Sequence, residues 1–120
     1  MIRNCHVDGT IISNYNSGGI AASSTWGHIF DSTFTGTVKT TDEKTISSQG
    51  GAGGIVGMYA VSEAHGLIRN CKVTGTIISN RYAGGIAGFS NTRDQNLSSD
   101  FYGYVQGGNG SGIIIGNHKN

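Results

Sequence analysis

The strongest constraint on the fold is a stretch that occurs twice. Residues 2–21 recur in similar form at residues 68–87, at a constant offset of 66 and without a gap. Cys5 thus matches Cys71, and Val7 matches Val73. Self-similarity at a fixed offset is the signature of a repeat architecture, in which each repeat is one structural unit.

Two weaker copies lie between and after the strong ones. Residues 29–38 match the stretch that begins at Ile2 at an offset of 27, and residues 97–105 match the second strong copy around Gly103. We therefore predict a single domain over residues 1–120 with four repeats. Their approximate boundaries are 2–27, 28–66, 67–96 and 97–120.

Each repeat contains a segment in which apolar and polar residues alternate, which is typical of a β-strand with one buried face. The predicted inward residues are Cys5, Val7, Gly9 and Ile11; Ser32, Phe34, Gly36 and Val38; Cys71, Val73, Gly75 and Ile77; and Ser99, Phe101, Gly103 and Val105. The residues between them are mostly polar and are predicted to face water.

A repeat of about 30 residues cannot bury its own apolar face, whereas a stack of repeats buries a continuous core. The pattern therefore predicts an all-β fold, a parallel β-solenoid (β-helix) of about four coils. Parallel crossover connections are overwhelmingly right-handed, so we expect a right-handed coil.

Two sets of glycines are expected to have different purposes. The strand-centre glycines at 9, 36, 75 and 103 would let the opposite wall approach, with Ile20, Ile55, Ile86 and Ile113 as the approaching column. The paired glycines at 18–19, 53–54 and 84–85 would form corners with positive φ. Insertions at 23–28, 39–50, 58–66 and 90–96 are expected to be loops.

The repeated segments resemble a known family. Gly-Gly-Ile-Val-Gly at 53–57 and Gly-Gly-Ile-Ala-Gly at 84–88, together with Ile-x-Asn-Cys-x-Val-x-Gly-Thr-Ile segments, are similar to the GLUG repeat of bacterial surface proteins, including adhesins. The resemblance extends over nearly the whole chain and implies a β-helical stalk or display module. It brings no catalytic residues with it.

Composition excludes several classes of partner. The chain has 8 Lys and Arg against 7 Asp and Glu, a net charge of +1, which gives no electrostatic footprint for nucleic acid or an anionic membrane. Its apolar runs are too short for a membrane helix, and it carries no signal peptide. Met1 directly precedes the first repeat residue, which favours an excised fragment of a longer protein over the alternative of a short natural chain.

No cofactor or metal site is predicted. Cys5 and Cys71 occupy equivalent positions two repeats apart, about 10 Å by the spacing of paired strands, so we expect free, buried thiols. The four histidines share no repeat position and no ligand spacing. Asp42, Glu43 and Glu63 could converge as a carboxylate pair for glycoside cleavage, but solvated loop charges are the favoured interpretation.

Exposed side chains offer two further binding hypotheses. A flat threonine array of the ice-binding kind is broken in the first and last repeats, which favours ordinary strand surface. Aromatic residues could stack on sugar rings, although packing at repeat edges is favoured for each one. The candidate ligand contacts are Trp26, Tyr59, Tyr102 and Tyr104.

The first functional hypothesis is a non-enzymatic structural or adhesive repeat module of a bacterial cell-surface or secreted protein. Its partners would be a protein or glycan at a cell surface, with neither nucleic acid nor membrane insertion. The alternatives are a self-assembling fibre subunit that stacks end to end through uncovered terminal coils, and a carbohydrate-binding or carbohydrate-active β-helix.

Overall fold

The computed structural model is all-β. It describes residues 2–24, 27–41, 51–59, 66–90, 99–108, 110–112 and 114–118, and within these ranges it contains strands and no helix. The strands are β1 (Ile2–Arg3), β2 (His6–Ser13), β3 (Ser17–Gly18), β4 (Ala21–Ser24), β5 (Gly27–Phe30), β6 (Thr33–Thr40), β7 (Ala52–Gly53), β8 (Val56–Tyr59), β9 (Gly66–Arg69), β10 (Lys72–Ser79), β11 (Tyr82–Gly84), β12 (Ala87–Ser90), β13 (Asp100–Gly107), β14 (Gly110–Gly112) and β15 (Ile115–His118).

The strands form four parallel sheets. Their orders are β1-β5-β9, β2-β6-β10-β13, β3-β7-β11-β14 and β4-β8-β12-β15. Three of the sheets contain one strand from each of four repeats, and the sheet β1-β5-β9 contains one from each of the first three. The repeats therefore lie in chain order from one end of every sheet to the other. We call β1–β4, β5–β8, β9–β12 and β13–β15 the first, second, third and fourth repeats.

The sheet β2-β6-β10-β13 has the longest strands, of eight residues each, and is called the longest sheet below. It contains the predicted inward column. Val7 pairs with Phe34, Phe34 with Val73, and Val73 with Phe101. The strand-centre glycines are aligned in the same way. The register predicted from the repeat alignment is therefore confirmed across all four repeats.

The core is best covered in the two middle repeats. Phe34 and Val73 are 0% exposed, whereas Val7 and Phe101 at the two ends of the same column are only half-buried. The central positions are covered by a repeat on each side, and the end positions are covered on one side only. A stack of repeats produces this gradient of burial because the core of each repeat is covered by the repeats next to it.

The two sets of glycines have the opposite roles to those predicted. The strand-centre glycines, not the paired ones, have positive φ: +135° at Gly9 and +147° at Gly75. A β-carbon on Gly75 would overlap the Gly36 carbonyl, so the close approach there is to the neighbouring repeat.

In the first two pairs the second glycine instead faces the opposite wall of the core, and the first glycine lies against backbone atoms. A β-carbon on Gly19 would overlap the Phe34 ring, and one on Gly54 would lie 2.6 Å from Cγ1 of Val73. None of the pairs at 18–19, 53–54 and 84–85 has positive φ among the described residues. The prediction of positive-φ corners at these pairs was wrong, because their small size is required by packing.

The corners with positive φ are at Asn4, Asp31 and Asn70, with φ values of 58°, 55° and 55°. Each precedes the cysteine or serine that leads into a long strand. Asn and Asp tolerate the left-handed conformation better than other residues with a side chain. The Asn70 amide donates a hydrogen bond to the Asp31 carboxylate at 2.7 Å, which links two repeats at this corner.

The register also corrects the isoleucine column. Ala87 pairs with Ile115, and the amide of Ile86 donates to the carbonyl of Ile114 at 3.1 Å. Ile114, not Ile113, therefore continues the column of Ile55 and Ile86, and Ile113 lies outside the described residues.

Candidate functional site

The outward surface of the longest sheet is the candidate site, because strand pairing brings side chains of all four repeats together on it. We call this surface the outward face. Its rows are His6, Thr33, Lys72 and Asp100; Asp8, Thr35, Thr74 and Tyr102; Thr10, Thr37, Thr76 and Tyr104; and Ile12, Lys39, Ile78 and Gln106. Most of these side chains are exposed, as the alternation predicted.

Two tyrosines stand together at one edge of the outward face. Tyr102 and Tyr104 are both 56% exposed and stand two positions apart along β13, with Gly103 between them. Side chains at this spacing point to the same side of a strand, about 7 Å apart. The structure thus places two of the four predicted ligand-contact residues side by side on an accessible surface.

Polar groups flank both rings. The Lys72 Nζ lies 5.5 Å from the centre of the Tyr102 ring, within the range of a cation–π interaction. The Tyr104 hydroxyl donates a hydrogen bond to Oε1 of Gln106 at 3.0 Å. Asp100 is the cross-strand partner of Lys72. The tyrosine pair with Lys72, Asp100 and Gln106 is called the tyrosine platform below.

A shallow depression of about 400 Å³ adjoins the platform. It is lined by Gly103, Tyr104, Val105, Ser111 and Gly112, which belong to β13 and β14 of the fourth repeat. Tyr104 therefore belongs to the outward face and also borders this depression.

The other predicted contacts lie elsewhere. Trp26 is outside the described residues. Tyr59 was expected in a loop, but it belongs to β8, pairs with Ser24 and Ser90, and is 0% exposed. Burial raises the pKa of Tyr59 to about 12. Its ring is a core side chain and takes no part in the outward face.

The cysteines are free, as predicted, but differ in exposure. Cys71 is buried, and this burial raises the pKa of its thiol. Cys5 is exposed, so the prediction that both thiols are buried is wrong for Cys5. It lies in the first repeat, which is covered by a neighbour on one side only.

Within the described residues, no group of three or more His, Cys, Asp or Glu side chains could hold a metal ion. The carboxylates Asp42, Glu43 and Glu63 lie outside those residues. No helix in the described ranges is long and apolar enough to cross a membrane.

The sequence reasoning missed a buried arginine. Arg81 is 1% exposed, and its guanidinium carbon lies 6.0 Å from the ring centre of Tyr15 and 5.8 Å from that of Tyr82. Tyr15 and Arg81 are equivalent under the offset of 66, so the alignment could have placed them on one side of the stack. The cluster joins the first and third repeats by cation–π contacts.

The fold and the site define a class: an all-β protein of in-register parallel sheets with an exposed tyrosine pair on its outermost long strand. No protein-family model matches the chain, and neither a curated protein nor a solved structure does.

Proposed function

We propose that the chain is a right-handed parallel β-solenoid that serves as a non-enzymatic structural and adhesive module of a bacterial cell-surface or secreted protein. The architecture is supported by the parallel register that recurs through the sheets. The surface setting is supported by the resemblance of residues 53–57 and 84–88 to the GLUG repeat.

The observation that carries the adhesive part of the proposal is the tyrosine platform. Two large rings at 56% exposure retain apolar surface that a partner can cover. The apolar face of a sugar ring stacks on such a ring, while Lys72, Asp100 and Gln106 can bond to its hydroxyl groups. Tyrosine is also enriched in the centres of protein interfaces. The platform suits a glycan or a protein at a cell surface.

A neutral partner fits this surface best, because the face mixes charges of both signs. Lys39 and Lys72 are accompanied by Asp8 and Asp100. A mixed surface of this kind provides no steering for nucleic acid, which requires a basic patch.

The test is binding to an array of bacterial and host cell-surface glycans, with the double variant Tyr102→Ala/Tyr104→Ala beside the wild type. We expect the double variant to lose the signal of the bound glycans. The double variant Tyr102→Phe/Tyr104→Phe keeps both rings and should retain most of the signal.

Binding that survives Tyr102→Ala/Tyr104→Ala would contradict the assignment to the platform.

A second assay tests whether the chain has catalytic activity. Release of reducing ends from a panel of polysaccharides by the wild-type chain would overturn the non-enzymatic part and favour a carbohydrate-active β-helix.

A further inference from the structure

The three contacts between successive repeats are built alike. The amide of the residue that begins each long strand donates to the preceding repeat: Thr33 to Cys5, Lys72 to Ser32, and Asp100 to Cys71, at 2.9–3.0 Å. Since the same bonds recur at every contact, the donors on one side of a repeat match the acceptors on the opposite side of any other repeat. The outer side of the fourth repeat should therefore fit the outer side of the first.

The short segments show the same complementarity with the donors reversed. Ala21 donates to Ile55, Val56 to Ile86, and Ala87 to Ile114, at 2.9–3.0 Å. Continued by one step, the amide of Ile115 would donate to the carbonyl of Ile20 in a second copy. Both backbone patterns can thus continue across the ends.

The two outer sides also have half-buried apolar residues in matching positions. Val7 and Ile11 on β2, and Phe101 and Val105 on β13, are less buried than their equivalents in the middle repeats. Among the described residues no strand pairs with the outer edge of either β2 or β13. Such edges are templates for pairing with another chain.

Gly9 marks the place that a second copy would occupy. In the other three repeats, a β-carbon on the strand-centre glycine would overlap the glycine carbonyl of the preceding repeat. Gly9 has the same unusual φ, +135°, yet nothing lies within 4 Å of the corresponding position. The carbonyl of Gly103 from another copy would fit there.

We propose that the chain binds a second copy head to tail, with β13 of one copy pairing in register with β2 of the next. This register places Phe101 on Val7 and Val105 on Ile11. It also places Asp100 opposite His6, two side chains that can form a hydrogen bond across the strands. With a net charge of +1, little repulsion opposes the contact.

A head-to-tail contact does not close on itself, so the assembly lengthens with concentration. Sedimentation equilibrium over a concentration series should give a mean mass that rises above 12.5 kDa without levelling at a dimer. A strictly monomeric wild type at high micromolar concentration, or a dimer that does not grow, would overturn the proposal.

Two variants locate the contact, each with a matched neighbour. Ile11→Lys places a charge at a half-buried position on the rim of β2. There the long side chain can extend its ammonium group to water in the free chain, whereas in the contact the charge would be buried. Ile12→Lys makes the same change on the outward face, at a residue that is 64% exposed. Val105→Lys and Gln106→Lys form the corresponding pair on β13. We expect Ile11→Lys and Val105→Lys to remain monomeric, and the two control variants to assemble like the wild type.

Mixing the two blocked variants gives the decisive result. Ile11→Lys retains an intact β13, and Val105→Lys retains an intact β2, so an equimolar mixture should form a dimer and stop there. Formation of this dimer also shows that both variants are folded. Self-association of either variant alone would mean that two β2 ends or two β13 ends pair with each other. Absence of a dimer in the mixture would contradict the proposed contact between β13 and β2. Ile11→Lys leaves the tyrosine platform unchanged, so it should bind glycans while it remains monomeric. Glycan binding and head-to-tail assembly can therefore fail independently of each other.

Discussion

Gly75 lies against Gly36 so closely that a β-carbon on Gly75 would overlap the carbonyl oxygen of Gly36. The φ of Gly75 is +147°, a conformation that residues with a side chain rarely adopt. Glycine at this position is therefore required twice, by the backbone conformation and by the distance between repeats.

Replacing this glycine should be severely destabilising. We expect Gly75→Ala to lower the free energy of unfolding by more than about 3 kcal/mol, since backbone strain of about 1–3 kcal/mol is added to a clash with backbone that cannot move aside. In the monomeric chain, at low protein concentration, Gly9→Ala is the matched control because it has the same strain without the clash, and it should cost about 1–3 kcal/mol. Chemical denaturation measures both, and equal losses would contradict the role of the contact with Gly36.

The two sets of glycines show which features of the fold can be predicted from the sequence and which cannot. Their positions and spacing predicted the repeats and the register correctly. Their conformations could not be predicted, because a glycine in a sequence is compatible both with positive φ and with close packing. The choice at Gly19 depends on the Phe34 ring from the next repeat, which only the folded chain brings near.

An aspartate should lower stability far more on the inward face of β10 than on its outward face. Val73→Asp buries an unpaired charge at a position that is 0% exposed, and we expect it to cost more than about 3 kcal/mol. Thr74→Asp places the same charge on the outward face and should change stability by less than about 0.5 kcal/mol. Thermal or denaturant unfolding gives both values. Similar midpoints would mean that the faces are reversed.

The thiols should react at very different rates. Cys5 is exposed, and Cys71 is buried with a raised pKa, so little of the reactive thiolate forms at Cys71 at neutral pH. In Ellman's assay we expect one fast thiol in the native chain and two in denaturant. Cys5→Ser should remove the fast reaction. A fast thiol that persists in Cys5→Ser would show that Cys71 is accessible.

Stability should fall at alkaline pH because of Tyr59. Its pKa is raised from 10.0 to about 12 in the folded chain, so the folded state holds this proton more tightly than the unfolded state does. The resulting stabilisation is fully present below pH 10 and is lost as the pH rises from about 10 to 12. Tyr59→Phe cannot ionise, and the slope of unfolding free energy against pH in this range should become shallower. An unchanged slope would contradict the contribution of Tyr59.

Two further features could not be predicted from the sequence for physical reasons, and a third could be predicted in part. Tyr59 follows the small-residue segment and was interpreted as part of an insertion, whereas pairing with Ser24 and Ser90 extends the strand to include it. The exposure of Cys5 depends on its place in an end repeat, since its equivalent Cys71 is buried. The tyrosine platform could be anticipated in part, because alternation places Tyr102 and Tyr104 on the outward side of one strand.

The in-register stacking of the four repeats can be measured by nuclear Overhauser contacts within the inward column. Monomeric Ile11→Lys chain with selectively labelled methyl groups is the suitable sample, since its inward column away from β2 is unaltered. We predict contacts from the Val73 methyl groups to the rings of both Phe34 and Phe101, the two cross-strand partners of that residue. Contacts to only one of these rings, or a pattern displaced by two residues along either strand, would contradict the register and with it the whole account.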